Sequence, residues 1–179
     1  MSAMKLLSLM ALLGLTAVAP AAGQQAGSAL RGHDSNAPVD VAADRIEVQD
    51  RADRAIFSGN VDARQGSLRL TAARVTVAYA SNQGISIQRL EASGGVTLHT
   101  PSETATSQFA IYDLDRRLVT MVGGVRLTQG ANRVQGGRLV LDLDSGRAVM
   151  DGGARGAPGA ASSGGRVTGR FTVPRRQGN

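Results

Sequence analysis

The sequence has neither cysteine nor tryptophan, and aromatic residues make up only 3% of its 179 positions. Without thiols, the chain cannot form disulfides, thiolate metal sites or cysteine nucleophiles. Because rings are so few, the core must be built from aliphatic side chains. Lysine is almost missing as well, since Lys5 is the only one and 19 of the 20 basic residues are arginine. These absences exclude much redox, zinc and cysteine-dependent chemistry.

The formal net charge of +6 is carried almost wholly by guanidinium groups. Arginine matches the geometry of phosphate and carboxylate groups, so phosphate-bearing partners are chemically suitable. The basic residues are nevertheless spread along the chain and mixed with acids, and no aromatic platforms for base stacking accompany them. We therefore expect no nucleic-acid partner.

The N-terminus has the pattern of an export signal. Lys5 precedes an apolar run over residues 6–18, which is too short to span a bilayer comfortably, and small residues suited to cleavage follow at 17–21. We expect a cleaved signal peptide at 1–22, a polar linker at 23–37 and an exported protein. An uncleaved membrane anchor is the alternative reading of this run.

From Pro38 onward the pattern predicts short β-strands. Apolar and polar residues alternate at 39–41, 68–70, 75–79 and 139–143, and glycine-containing turn signals separate the alternating segments. Strands so closely spaced form an antiparallel meander. The sequence therefore predicts one β-domain over residues 38–153.

Four similar units follow one another in this domain. Segments beginning at 45, 74, 109 and 138 each lead to a glycine 14 residues later, or 20 residues later in the second unit. A unit of about thirty residues is typical of stacked β repeats. In register, one face of every unit is aliphatic and the other carries charged residues. Such a face suits either a closed sandwich core or, because its side chains are small, a groove for aliphatic chains.

The ordered pieces of these units resemble the OstA/LptA family. The resemblance is carried by Ala43 to Val48, Ala55 to Val61, Gln65 to Ala73, and Tyr112 to Leu114 with Gly123 to Gly130. Membership implies an all-β fold, a twisted and slightly open β-jellyroll of successive antiparallel strands. It also implies that the apolar interior shelters the acyl chains of lipid A during transit through the periplasm.

The partners that the resemblance implies are lipopolysaccharide, an LptC-like inner-membrane protein, an LptD-like outer-membrane translocon and further copies joined head to tail. The lipid-binding residues that we expect are the larger inward-facing ones, with Val39, Val41, Tyr112 and Leu114 taken from positions matching the family. The full set is Val39, Val41, Ile46, Val48, Phe57, Val61, Val75, Val77, Leu90, Val96, Leu98, Tyr112, Leu114, Met121, Val125, Leu127, Leu139 and Leu141.

No catalytic residue, metal site or cofactor is expected. His33 lies in the predicted linker, His99 in a predicted turn before Pro101, and neither has a second histidine or a cysteine nearby in the sequence. Residues 154–179 depart from the family pattern because they are rich in Gly, Ala and Arg. Within them, residues 165–174 are compatible with one further strand, which Pro174 would end. Two alternatives remain: an LptC-like anchored component of the same pathway, or a β-sandwich module that binds another polyanion.

Overall fold

The computed structural model describes residues 33–81, 84–152 and 165–172, and this part of the chain is almost entirely β-strand. The strands are β1 (Val39–Ala42), β2 (Arg45–Gln49), β3 (Arg54–Gln65), β4 (Leu68–Ala80), β5 (Ser86–His99), β6 (Glu103–Asp113), β7 (Leu118–Gln129), β8 (Asn132–Asp142), β9 (Arg147–Asp151) and β10 (Thr168–Arg170), with a 3₁₀ turn at Asp50–Ala52. The predicted signal peptide and most of the glycine-rich segment lie outside the described residues.

All ten strands belong to one antiparallel sheet. Strands β3 to β8 pair in chain order, while β1 and β2 pair with successive parts of β3, and β9 and β10 pair with opposite parts of β8. Each end of the sheet is therefore formed by two short strands. In the described part of the chain, the outer sides of these four strands are free edges.

A row of register shifts divides the sheet into two parts. Every pairing from β3–β4 to β7–β8 shifts near the middle of its strands, between Ser58 and Val61 in β3 and between Val122 and Val125 in β7. Bulges of this kind bend a strand and increase its local twist. We call this row the crease, the part with β1 and β10 half A, and the part with β2 and β9 half B.

The two halves fold toward each other and enclose an aliphatic core. Tyr112 in half B donates a hydrogen bond of 2.7 Å to Gln65 Oε1 in half A, so the halves are in direct contact. Val75, Val119, Met121 and Leu139 are completely buried between them. The alternation of residues along each strand thus places one face inside and the other in solvent.

The predicted all-β, open antiparallel fold is confirmed. The repeat has a structural basis, because Arg74, Phe109 and Arg138 each directly follow the crease in their strand. A short strand, β10, is present within 165–174. The predicted turn at His99 is wrong, since this residue ends β5 and its Nδ1 lies 3.0 Å from Thr104 Oγ1 across the sheet.

Candidate functional site

An apolar cleft opens between the two halves at the end of the sheet formed by β1 and β2. Its volume is about 310 Å³. Half A contributes Val39 and Val41 from β1, and half B contributes the remaining wall. The complete lining is Val39, Val41, Val48, Asp50, Ala55, Phe57, Val77, Tyr79, Ile85 and Ile87.

The mouth of the cleft lies at edge strand β2, which pairs with β3 on one side only in the described part of the chain. Ile46 and Val48 pair with Phe57 and Ala55 and so point to the inner side, yet they are 55% and 56% exposed. Ile85, after the β4–β5 connection, is 78% exposed. Three large aliphatic side chains that remain in water at the mouth of a core mark a place where an apolar partner would be stabilised.

The polar groups at this mouth are few. Asp50 and Tyr79 line it beside the aliphatic side chains. Partial burial raises the pKa of Tyr79, and the nearby carboxylates of Asp50 and Asp53 raise it further. The phenol is therefore neutral at physiological pH, and among the described residues that line the cleft Asp50 alone carries a formal charge.

Deeper in the molecule, a hydrogen-bonded clasp closes the interior. Tyr112 Oη and Gln65 Oε1 are the two sides of this clasp, and both residues are only 3% exposed. Burial raises the pKa of Tyr112, which keeps its hydroxyl available as a donor. The void beside them, lined also by Val39 and Leu90, is only about 10 Å³.

Residues 33–37 lie against the clasp as a strap. The Gln65 side-chain amide donates hydrogen bonds to the carbonyl oxygens of Ser35 at 2.9 Å and Ala37 at 3.0 Å. His33 Nε2 lies 3.2 Å from Gln65 Oε1. On the other half, Arg117 donates to Asn36 Oδ1 at 3.4 Å and to Asp144 at 2.8 Å. The strap therefore links both halves on the side away from the crease.

The predicted lipid-binding residues lie in different surroundings, from the cleft to the closed core. Five line the cleft: Val39, Val41, Val48, Phe57 and Val77. Ten others are buried in the closed part of the core, namely Val61, Val75, Leu90, Val96, Leu98, Tyr112, Met121, Val125, Leu139 and Leu141, while Leu114 and Leu127 pack against it partly buried. Ile46 lies on the exposed edge strand beside the cleft.

Five lining residues were absent from the predicted set: Asp50, Ala55, Tyr79, Ile85 and Ile87. The inward positions of Ala55 and Tyr79 were readable from the alternation. Ile85 and Ile87 also alternate, but they directly follow the extra residues, near 81–84, that lengthen the second repeat. The pairing shift between Ala78 and Tyr79, which sets Tyr79 opposite Ile87, has no counterpart in the sequence pattern.

Two kinds of feature are missing from the described residues. No group of three or more His, Asp or Glu side chains is placed to hold a metal ion. Among the same residues, no helix has the length and apolar character needed to cross a membrane.

Comparisons with known proteins agree with this architecture. The family model described as LptA/(LptD N-terminal domain) LPS transport protein matches residues 40–147. An uncharacterized protein of Rhizobium meliloti (strain 1021) is 32% identical over 149 residues, and the match covers 78% of this chain and 80% of the length of that protein.

A solved structure shares the fold. It is the crystal structure of LptH from Pseudomonas aeruginosa, described as the LptA homologous periplasmic component of the lipopolysaccharide transport device. It superposes with a TM-score of 0.67 at 20% identity, covering 79% of this chain and 99% of LptH. With the family model spanning more than half of the sequence, the chain belongs to the LptA/LptD N-terminal domain family of lipopolysaccharide transport proteins, which are transport components and not enzymes.

Proposed function

We propose that this protein binds the lipid A part of lipopolysaccharide by its acyl chains in the cleft between halves A and B. In this proposal it acts in the periplasm, as one element of a protein bridge from the inner to the outer membrane. The observation that carries the proposal is the cleft itself, an apolar space continuous with the core and left open by the exposed strand β2.

The energetics favour such a role. Removing one methylene group from water contributes about 0.8 kcal/mol, so an acyl chain with a dozen methylenes contributes roughly 10 kcal/mol. A carrier needs no chemical step to move such a molecule through an aqueous compartment. It needs only a continuous apolar surface, and the inward residues of β3 to β8 supply one.

The cleft must widen to take several chains. At about 310 Å³ it is at the lower end of small-molecule sites, which span roughly 300–1,000 Å³. The Tyr112–Gln65 clasp is the next contact inward. Breaking one such hydrogen bond costs on the order of 1 kcal/mol, which is small against the burial of one acyl chain. We therefore propose that lipid entry parts the halves at the clasp and displaces the strap.

The bridge role is supported by the two ends of the sheet. In the described residues, β1 and β2 at one end and β9 and β10 at the other present free backbone edges. Such edges accept further strands by β-augmentation. We propose that copies join head to tail through them, with an LptC-like protein upstream and an LptD-like translocon downstream.

The matched pair Val48→Asp and Val149→Asp tests lipid binding. Both valines are exposed and lie on edge strands, but Val48 lines the cleft and Val149 lies on the outer face of half B. A charge in the cleft opposes entry of alkyl chains, so Val48→Asp is expected to weaken binding of purified lipopolysaccharide by about tenfold or more. Val149→Asp is expected to bind like the unmodified protein. Equal affinities of the two variants would overturn the proposal.

The mass of the exported protein distinguishes the proposed bridge component from the LptC-like anchored component. Loss of about 20 N-terminal residues agrees with a signal peptide and a soluble bridge component. Retention of residues 6–18 in a membrane fraction would instead indicate an LptC-like anchored component.

A further inference from the structure

The outer face of half A carries a polar cleft that the lipid-binding proposal does not use. Its volume is about 450 Å³. The register sets its lining in two cross-strand rows, Thr106–Arg126–Gln135 and Thr104–Thr128–Arg133, across β6, β7 and β8. The lining therefore contains two guanidinium groups, three hydroxyls and one amide, and no carboxylate.

Positive charge is partly compensated by a carboxylate at one end of this face and has no bonded carboxylate at the other, among the described residues. On β3 and β4, Arg64 and Arg69 both bind Asp62 at 2.8 Å. Among the residues that the structure describes, no carboxylate is bonded to Arg126 or Arg133. In the described part of the chain, the cleft is thus a region of this face where two arginines lie without a bonded carboxylate.

Strand β10 adds a third cation beside the cleft. Arg170 pairs directly opposite Arg133, and both side chains are on the outer face. Like charges facing each other across an antiparallel pair are destabilising. An anion bound between them would remove this repulsion, and it would favour the pairing of the three-residue strand β10 with β8.

We propose that this cleft binds a phosphorylated saccharide. The arginines would hold the phosphate group through paired, charge-assisted hydrogen bonds, which guanidinium geometry favours. The threonine hydroxyls and the Gln135 amide can donate to and accept from sugar hydroxyls. The space exceeds what a single phosphate ion occupies and falls in the range of small-molecule sites.

The proposal does not depend on lipid binding in the interior. Arg126 and Gln135 are exposed and point outward, whereas the next residue, Leu127, which pairs with Val134, packs against the core. A ligand in this cleft would therefore be separated from the apolar interior by the sheet itself. Failure of one proposal leaves the other standing.

Titration calorimetry at low salt with glucose 1-phosphate, inorganic phosphate and glucose tests the ligand class. We expect glucose 1-phosphate to bind about tenfold more tightly than inorganic phosphate, because the sugar adds hydrogen bonds, and we expect no heat from glucose alone. Equal affinity for the two phosphates would overturn the saccharide assignment. Binding to phosphatidylglycerol vesicles without binding to glucose 1-phosphate would also overturn it.

Two double variants with the same loss of charge locate the site. Arg126→Ala/Arg133→Ala is expected to weaken glucose 1-phosphate binding by about a hundredfold, since two charge-assisted contacts are lost. Arg64→Ala/Arg89→Ala removes two arginines that already pair with Asp62 and Glu91, and we expect it to change affinity less than about twofold. Equal losses in both would contradict a specific site. Val48→Asp is expected to leave this binding unchanged, which separates it from the lipid-binding proposal.

Discussion

The residue that connects the sequence prediction to the closed state of the interior is Tyr112. Its inward position follows from the alternation along β6, and it is buried as expected. Its hydrogen bond to Gln65 joins residues 47 positions apart and depends on how halves A and B approach each other. No local sequence pattern predicts a contact between two residues so far apart in the chain. The prediction therefore found the side chain and its face but not the contact that closes the core.

Tyr112→Phe removes the hydroxyl while keeping the ring. Gln65 Oε1 then loses a buried donor, so we expect the free energy of unfolding to fall by about 1–3 kcal/mol in urea titrations. Thr120→Val is the control, because the structure describes no hydrogen bond to that hydroxyl. If Tyr112→Phe were as stable as the control, the clasp would have no measurable role.

Asp62 makes a second residue-scale prediction, on acid stability. Hydrogen bonds from Arg64 and Arg69 hold the pKa of Asp62 well below its usual range. A carboxyl whose pKa is lower in the folded state stabilises the protein above the unfolded value, near pH 4, and this stability is lost as the pH falls below it. Asp62→Asn is therefore expected to reduce stability at pH 7 and to reduce the loss between pH 4 and pH 2.

Urea unfolding at pH 7, 4 and 2 measures this effect. Asp115→Asn, at an exposed position with no ion pair in the described part of the chain, is expected to follow the unmodified protein at each pH. An unchanged pH profile for Asp62→Asn would show that the Arg64–Asp62–Arg69 group does not contribute to acid sensitivity.

At the scale of the strands, the crease decides the architecture. Glycines recur where β5 and β7 cross it, and Gly94, Gly95, Gly123 and Gly124 all have positive φ. The sequence shows these glycines at regular intervals, so the repeat and the faces were predictable. The sequence did not show that the register shifts align across neighbouring strands, because the register of a pair depends on both strands and not on the pattern of either one alone. The approach of half A to half B, and hence the size of the cleft, follows from that alignment.

Gly94→Ala and Gly95→Ala separate two reasons for glycine at the crease. Both positions have similar backbone conformations, with φ of 84° and 80°. A Cβ at Gly94 would lie 2.6 Å from the Cβ of Ala73, whereas at Gly95 it would meet open space. We expect Gly95→Ala to lower the unfolding free energy by about 1–2 kcal/mol from backbone strain, and Gly94→Ala to lower it further.

Thermal unfolding of the two variants, measured side by side, checks the comparison. Equal melting temperatures would mean that strands β4 and β5 do not approach closely at the crease. A Gly95→Ala protein as stable as the unmodified one would instead remove the strain argument.

At the scale of the whole molecule, the sheet has two different ends, and the apolar interior opens to solvent at one of them. The cleft opens at β1 and β2, and the opposite end is formed by β9 and β10. If copies join head to tail, each junction sets one end against the other. The mean molar mass in solution is then expected to rise with protein concentration.

Ala148→Lys tests that assembly. Ala148 lies on edge strand β9 opposite Leu141, so the lysine would place a charge on the inner side of a free edge, which is a common means of blocking edge pairing. In sedimentation velocity we expect the variant to remain monomeric while the unmodified protein associates. Thr120→Lys, on the outer face of central strand β7, is expected to associate normally. A monomeric unmodified protein at every concentration would contradict head-to-tail assembly.

Site-specific photo-crosslinking can show whether acyl chains enter the space bounded by β1, β2 and β3, as we propose. A photoreactive residue at Phe57, inside the cleft, is compared with one at Glu47, on the outer face of β2. We predict a lipopolysaccharide adduct at position 57 and none at position 47. An adduct at position 47 alone, or equal adducts at both positions, would show that the acyl chains do not bind in the cleft.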